Sequence, residues 1–205
     1  DSPLPAQLVA AGCGAAVARV AGESPSDSGQ YGVSLRWFAE DWNATEFGFY
    51  FLNYHSRLPV LSGTSITTPA PQSAEYYTEY PEDIQLYGIS FNSNVGTWAL
   101  AGEVSYRPNA PLQADDIELL FAALTPANPI TPAPVLRFYS QLGEFGPGEY
   151  VQGWFEHKSW QAQSTITKLF GPNNFLRADQ IAFVTEAGFN YVDDLPDKDF
   201  LRYNG

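Results

Sequence analysis

Runs of about ten residues that alternate like β-strands recur along this 205-residue chain. Seven of them are bounded by Gly, Pro, Asn and Asp: 30–40, 46–56, 82–92, 97–107, 149–157, 160–170 and 180–192. Strands of ordinary soluble domains are about five or six residues long, whereas a tilted membrane-spanning strand needs about 9–11. The run lengths therefore favour strands that cross a membrane.

The connections between the runs support the same interpretation, because short and long ones alternate. They are 41–45, 57–81, 93–96, 108–148, a link of about two residues after the fifth run, and 171–179. An up-and-down transmembrane barrel has tight turns on one side and extended loops on the other, whereas a Greek-key sandwich gives no reason for alternation. We predict an all-β, antiparallel up-and-down transmembrane β-barrel with about seven or eight strands.

The whole chain, 1–205, is predicted to be one barrel domain or a fragment of one. Its parts are a loop at 1–29, four strands within 30–107, a long loop at 108–148 and the remaining strands in 149–205. The stretch "DDLPDKDFLRYNG" (193–205) is interpreted as a tight turn followed by the start of an eighth strand. Nothing in the sequence closes the sheet, so we expect a piece of a larger barrel or strands supplied from elsewhere.

One helix is expected inside the long loop, at "ADDIELLFAAL" (114–124). Asp115 and Asp116 near its start favour the helix dipole. The apolar stripe is expected to consist of Ile117, Leu120, Phe121 and Leu124. Two interpretations stay open: a helix packed over a loop, or a plug folded into the lumen.

The run "TWALAGEVSYR" (97–107) has two different faces, because alternate side chains of a strand point to opposite sides. The apolar face makes Trp98, Leu100, Val104 and Tyr106 candidates for contact with lipid. Charged residues of several runs fall on the parity opposite the more apolar set and are candidates to line the lumen: Arg36, Glu40, Glu103, Arg107, Glu156 and Glu186. In 46–56 both parities are apolar, so no face can be assigned.

Composition excludes several other classes of function. The formal net charge is −13 and the few basic residues are scattered, which argues against nucleic acid as a partner. No run of about 18 apolar residues predicts a membrane-spanning helix. Aromatic residues make up 15% of the chain, an excess that suits an interface with lipid, sugar or protein.

Catalytic and metal-binding motifs are not found. The lone Cys13 can form no intrachain disulfide and belongs to no metal motif. His55 and His157 are far apart and lack metal-ligand spacing, and no G-x-S-x-G nucleophile elbow is present. "YHSRLP" (54–59) is better explained as an interface girdle and loop anchor than as a catalytic site. We expect no enzymatic activity, no cofactor and no metal.

Several stretches resemble the bacterial family of unknown function DUF1302, and they keep a consistent order over well over half of the chain. They are "SGQYGVSLRWFAEDWNATEFGFYFLNYHSRLP" (28–59), "YPEDIQLYGISFN" (80–92), "GEVSYRPNAPLQADDIELLFAAL" (102–124), "FGPNNFLRADQI" (170–181) and "DLPDKDFLRYNG" (194–205). The resemblance implies an outer-membrane barrel protein of Gram-negative bacteria, associated with the movement or metabolism of hydrophobic compounds. It carries over no catalytic residues.

The expected function is a channel-like protein of the bacterial outer membrane for uptake or export of small hydrophobic compounds. Its expected partners are outer-membrane lipid, hydrophobic small molecules and other barrel segments or envelope transport proteins. The alternative is a soluble secreted β-rich module that binds carbohydrate or protein through its aromatic residues. Strand length and loop alternation favour the channel.

Overall fold

The computed structural model describes residues 16–129 and 137–204. It contains ten strands, one α-helix and two short 3-10 helices in these ranges. In chain order they are β1 (Ala18–Arg19), β2 (Tyr31–Ala39), β3 (Thr45–Tyr54), β4 (Val60–Thr64), a 3-10 turn (Pro71–Ser73), β5 (Glu75–Glu79), β6 (Ile84–Val95), β7 (Trp98–Gln113), α1 (Asp116–Leu124), a 3-10 turn (Thr125–Ala127), β8 (Tyr150–Val151), β9 (Trp154–Phe170) and β10 (Ile181–Asp193). Cys13 lies outside the described residues.

The large sheet has six strands in the order β2-β3-β6-β7-β9-β10, each antiparallel to its neighbours. The chain visits them in that same order, so the predicted all-β, antiparallel up-and-down arrangement is confirmed. Within the described part of the chain β2 and β10 each leave one edge unpaired, and this sheet does not close on itself.

The predicted division between 149–157 and 160–170 is wrong, because β9 runs without interruption from Trp154 to Phe170. Lys158 and Ser159, taken as a link, pair with Asp193 and Val192 of β10. No Gly, Pro or Asn lies between the two runs to turn the chain, and β7 is long enough to pair with both halves. The large sheet therefore has six strands rather than seven.

The long loop predicted at 108–148 begins too early, because β7 continues to Gln113. Pro108 and Pro111 suggested an end to the strand, since proline cannot donate to the ladder. The register shifts between Arg107 and Ala110, which marks a bulge. A bulge leaves a residue unpaired and so lets the strand pass a proline.

The two ends of the large sheet differ in their connections. The links 40–44, 96–97 and 171–180 lie at one end, which we call the short end. In the link 96–97, Gly96 has φ +61°, a conformation that glycine adopts without steric cost. The links 55–83 and 114–153 lie at the opposite, long end. The predicted alternation holds with six strands.

The two long links fold together with β1 into one body, which we call the cap (β1, 55–83, 114–129 and 137–153). Its small sheet has the order β1-β5-β4-β8, and α1 packs on β4 and β8. Its apolar core consists of Ile66, Ala74, Leu119, Ala122, Ala123, Leu124, Ala127 and Val151. The backbone N–H of Ile66 donates to the carbonyl of Ala123 (2.9 Å), which joins the two links directly.

Helix α1 forms where it is predicted, but its buried face is different. Asp115 is the N-cap, and its side chain accepts a hydrogen bond from the backbone N–H of Ile117 (2.8 Å). The cap buries Leu119, Ala122 and Ala123, because small alanine side chains allow close approach to the small sheet, while Ile117 is 56% exposed. Of the predicted stripe only Leu124 is buried; Leu120 and Phe121 stay partly exposed.

Two polar side chains, the half-buried Gln113 and the buried His55, attach the ends of these links. Gln113 donates from Nε2 to the carbonyls of Leu61 (3.1 Å) and Gly153 (2.7 Å), and its Oε1 accepts from the N–H of Leu61 (2.6 Å). His55 is buried, with Nδ1 accepting from the N–H of Asp83 (3.1 Å) and Nε2 bonded to the carbonyl of Ser28 (2.7 Å). His55 is a loop anchor, as the sequence suggests.

The predicted eighth strand in 193–205 is reduced to a single bridge between Ala114 and Tyr203. The segment packs on the end of β7, where the N–H of Asn204 donates to the carbonyl of Gln113 (3.0 Å) and the N–H of Asp115 donates to that of Arg202 (2.9 Å). None of the helices in the described ranges is both long and apolar enough to span a bilayer.

Candidate functional site

The pairing register divides the side chains of the large sheet between two faces. Residues opposite each other on neighbouring strands share a face, so the register extends one strand's alternation across all six. Val33 pairs with Phe51, Phe51 with Tyr87, and Tyr87 with Tyr106. We call the side that carries these residues the apolar face and the other side the polar face.

The apolar face extends over all six strands. Its apolar members are Tyr31, Val33, Leu35, Trp37, Phe47, Phe49, Phe51, Tyr87, Ile89, Phe91, Val95, Trp98, Leu100, Val104, Tyr106, Trp160, Ala162, Ile166, Phe183, Phe189 and Tyr191. Polar residues on the same face include Thr45, Asn53, Gln85, Ser93, Ser164, Thr185 and the charged Lys168 near the short end. Val33 is 68% exposed and Leu35 is 63% exposed, so no part of the described chain covers this face at β2.

Aromatic rings form a row across the apolar face near the long end. Phe51, Tyr87, Tyr106, Trp160 and Tyr191 are in register on five successive strands. The ring centroids of Tyr106 and Trp160 are 4.3 Å apart, and those of Phe51 and Tyr87 are 5.0 Å apart. Such contacts orient large apolar side chains without hiding their outer surface.

A second aromatic group lies on the apolar side at the short end. The ring of Trp37 stacks on Phe47 with centroids 5.5 Å apart, and Trp42 from the turn meets Phe47 edge-on at 6.0 Å. Farther along, the Nζ of Lys168 lies 4.4 Å from the ring centroid of Trp98. Aromatic residues therefore bound the apolar face at both ends of the strands.

The polar face has a different chemistry. It carries Ser34, Arg36, Glu46, Tyr50, Tyr54, Ser90, Asn92, Asn94, Glu103, Ser105, Arg107, Gln161, Gln163, Thr165, Thr167 and Glu186, together with the apolar Phe38, Leu52, Ile84, Leu86, Ala99, Ala101, Leu169, Ala182, Val184 and Val192. Arg36 and Glu46 lie 3.8 Å apart as an exposed ion pair. Gln163 Nε2 donates to Glu186 Oε1 (3.0 Å).

The sequence candidates of β7 lie on the two faces as their alternation indicates. Trp98, Leu100, Val104 and Tyr106 lie on the apolar face. Glu103 and Arg107 lie on the polar face, where the register also places Arg36 and Glu186. The structure thus brings four of the six charged candidates to one side of the sheet.

The other two charged candidates do not join this group. Glu40 lies in the turn beyond the last residue of β2, so strand alternation does not apply to it. Glu156 has the same parity in β9 as Trp160, which places it beyond the aromatic row at the long end of the apolar face. Its parity was misassigned because the sequence suggested that 149–157 was a separate strand.

The two faces of β3, which could not be told apart in the sequence, are assigned by its pairing with β2 and β6. In β3, Phe47, Phe49 and Phe51 lie on the apolar face, while Tyr50 and Tyr54 lie on the polar face. The hydroxyl of Tyr50 is 3.3 Å from Ser90 Oγ, and the hydroxyl of Tyr54 accepts from Arg107 Nε (3.3 Å). The usable signal was that phenylalanine occupies one parity and tyrosine the other.

One cluster of polar and titratable side chains holds the cap together. Glu79 Oε1 accepts hydrogen bonds from the Tyr150 hydroxyl (2.8 Å), from Trp154 Nε1 (2.6 Å) and from Ser62 Oγ. Burial of its hydroxyl end raises the pKa of Tyr150 to about 12. The cluster joins β4, β5, β8 and the first residue of β9.

Both histidines form hydrogen bonds within the fold. Both ring nitrogens of His55 are engaged by backbone groups, and His157 Nε2 is 2.6 Å from the hydroxyl of Tyr203. No group of three or more His, Cys, Asp or Glu side chains suited to a metal ion occurs in 16–129 or 137–204. The feature with functional potential is therefore the two-faced sheet.

Fold and site together define an antiparallel β-sheet protein with one apolar and one polar face. The family described as protein of unknown function (DUF1302) matches residues 6–204, so this chain belongs to that family. No curated protein and no solved structure matches the chain. The family assignment expected from the sequence is confirmed.

Proposed function

We propose that this chain contributes six strands to a β-barrel channel of the bacterial outer membrane, through which small hydrophobic compounds enter or leave. One observation carries the proposal: the apolar face is continuous over six strands and exposed, and the reverse of the same strands is polar. Lipid on one side and water on the other is the environment that this pattern fits.

The apolar face is too extensive for a soluble monomer. Contiguous exposed apolar patches on soluble monomers rarely exceed a few hundred Å², and removal of apolar surface from water is worth roughly 25 cal/mol per Å². The nine residues from Trp98 to Tyr106 carry an aromatic residue at each end. That span agrees with the 9–11 residues of a tilted membrane strand and with the aromatic girdles of such barrels.

The polar face provides the proposed hydrated path. Glu103 and Arg107 are four residues apart on one strand, so their Cα atoms are separated by about 13 Å. No ion pair joins them, or either of them to another described residue. Charges that do not neutralise one another act on a solute in the lumen, especially inside a low-dielectric wall.

The unpaired edges of β2 and β10 complete the proposal. Open strand edges are not stable within the hydrocarbon region, because their N–H and C=O groups find no water there. Further strands, from the same polypeptide or from a partner, would pair with both edges and close the sheet. The cap lies at the long end, where extended connections of outer-membrane barrels face the cell exterior.

The double variant Glu103→Ala/Arg107→Ala tests the transport function. Conductance in planar bilayers is expected to change, and so is uptake of the apolar dye N-phenyl-1-naphthylamine by intact cells, while folding stays nearly intact. The matched control is Lys158→Ala/Asp194→Ala, which removes an exposed ion pair (2.9 Å) outside the polar face and should alter neither quantity.

Two outcomes would refute the proposal. If wild type and both variants are non-conducting and admit no dye, the transport function fails. If the complete protein is monodisperse in buffer without detergent, the membrane location fails as well, and the aromatic row becomes the binding surface of a soluble module.

A further inference from the structure

A cavity of about 650 Å³ lies at the long end of the polar face, between the large sheet and the chain that leads into the cap. Ligand pockets in proteins span about 300–1,000 Å³. The sheet contributes residues of β3, β6 and β7, the link after β3 contributes most of the others, and Gln30 comes from the residue before β2. The cavity is separate from the apolar face and opens beside the proposed path.

Most of the cavity wall is apolar. Leu52, Leu58, Val60, Ile84 and Leu86 supply branched aliphatic side chains from two strands and the link. Leu52 and Leu86 lie on the polar face, and the register brings them opposite each other. Their placement makes a local apolar surface on the side of the sheet that carries most of the polar residues.

The charged groups of the cavity are both cationic. Arg57 and Arg107 line it, and no Asp or Glu does, although the whole chain has 23 acidic and only ten basic residues. Neither guanidinium forms an ion pair with any described residue. The cavity is therefore a positive site in a strongly negative protein.

Several of the remaining polar groups of the wall already have hydrogen-bond partners within the protein. Both ring nitrogens of His55 contact backbone groups, Gln30 Oε1 accepts from the N–H of His55 (3.2 Å), and the Ser56 hydroxyl exchanges hydrogen bonds with the backbone of Leu58. Arg107 uses only Nε, toward the hydroxyl of Tyr54 (3.3 Å). The unused donors are the terminal nitrogens of Arg107, the guanidinium of Arg57, the hydroxyl proton of Tyr54 and the Nε2 amide of Gln30.

We propose that this cavity binds a small amphiphilic carboxylate. The carboxylate accepts the paired donors of Arg107, with Arg57 at the rim, and the apolar part of the molecule lies against Leu52, Ile84 and Leu86. A planar guanidinium fork matches a carboxylate in geometry as well as charge. As an uptake site at the channel mouth, the cavity rests on the proposed function and narrows its substrate class; as a binding site it stands without it.

Binding of decanoate and of decanol to the complete purified protein tests the inference. Equilibrium dialysis in non-ionic detergent, corrected against detergent alone, gives both dissociation constants. Decanoate is expected to bind saturably and at least tenfold more tightly than decanol, because the alcohol has the same apolar chain and no charge. Arg107→Gln should weaken decanoate at least tenfold and leave decanol within twofold.

Two further variants separate charge from fold. Arg107→Lys keeps the charge without the fork and should give an intermediate dissociation constant. Arg177→Gln removes an arginine from the link 171–180 at the short end and should leave decanoate binding unchanged. The circular dichroism spectrum of each variant must match that of the wild type. If Arg107→Gln does not fold, Arg57→Gln tests the same site at the rim of the cavity.

The site inference is overturned if decanoate does not saturate, if decanol binds equally well, or if both Arg107→Gln and Arg57→Gln bind decanoate like wild type. Conductance and dye uptake are measured on the same preparations. Conduction without selective decanoate binding would refute the carboxylate site but not the channel function. Selective decanoate binding without conduction would refute the channel function but not the carboxylate site.

Discussion

The cap and the large sheet differ in how far they bury their apolar side chains, although the chain passes back and forth between the two regions. In the cap, Ala74 and Val151 are fully buried around one apolar core, and polar side chains such as Ser62 have partners inside the fold. In the large sheet β2 is exposed on both faces over almost its whole length. The cap carries its own core, whereas the large sheet leaves many of its apolar side chains exposed.

The largest effect is expected from a charge in the cap core. Val151→Asp places a carboxylate among Ile66, Ala123 and their neighbours, where nothing compensates it, and should cost more than about 4 kcal/mol. Limited proteolysis should then cut the cap while the large sheet stays protected. Val151→Ala is the milder variant, and equal protease resistance of the Asp variant and wild type would contradict the buried core.

A charge on the apolar face should be the next largest effect. Ile89→Arg, at a position that is 56% exposed, would cost about 2–4 kcal/mol in a membrane and almost nothing if the face met water. Asn92→Arg on the polar face of the same strand is the matched control. Recovery of folded protein from detergent or liposomes should fall for the first variant only; equal recovery would mean that water covers both faces.

The cap should also respond to alkaline pH in a way that the sheet does not. The pKa of Tyr150 is raised above its ordinary value of 10 to about 12, so the folded cap holds this proton more tightly than the unfolded chain does. Its contribution to stability is complete below pH 10 and is lost as the pH rises from 10 to 12. Tyr150→Phe should flatten this part of the profile, measured as protease resistance of the cap against pH; an unchanged profile would assign the loss to other groups.

The smallest effect is expected at the exposed ion pair of the large sheet. Arg36 and Glu46 are 3.8 Å apart with both side chains largely in contact with solvent. Such pairs contribute about 0.2–1 kcal/mol. A double-mutant cycle with Arg36→Ala and Glu46→Ala should give a coupling in that range that shrinks in 1 M salt. A coupling above about 2 kcal/mol would mean that the polar face is far less hydrated than proposed.

The sheet was more predictable from sequence than the cap, and the reason is physical. Alternation in β7 is a local property, so Val104 and Glu103 could be assigned to opposite faces from the sequence alone. In β3 both parities are large and apolar, and only the partners on β2 and β6 separate Phe49 from Tyr50. The missing information there was the register, which is not local.

The errors at the cap have the same origin. Val151 belongs to a two-residue strand that pairs with β4, some ninety positions earlier. Because this pairing is not visible in the sequence, residues 149–157 were assigned to one strand and the start of β9 was placed too late. The predicted helix stripe follows the helical spacing of Ile117, Leu120, Phe121 and Leu124, yet Ala122 and Ala123 are buried because the small sheet lies close to them. Pro108 ended the predicted strand because a bulge cannot be recognised without its partner strand.

The most direct test of the account is the accessibility of two adjacent positions in β7. Single cysteines at Val104 and Glu103, in the full-length protein with Cys13 replaced by Ser, are treated with a water-soluble maleimide in liposomes and again after unfolding. The account predicts protection at Val104 and rapid labelling at Glu103, with equal labelling of both once unfolded. Rapid labelling at Val104 with protection at Glu103 would contradict it, since the polar face would then be the covered one.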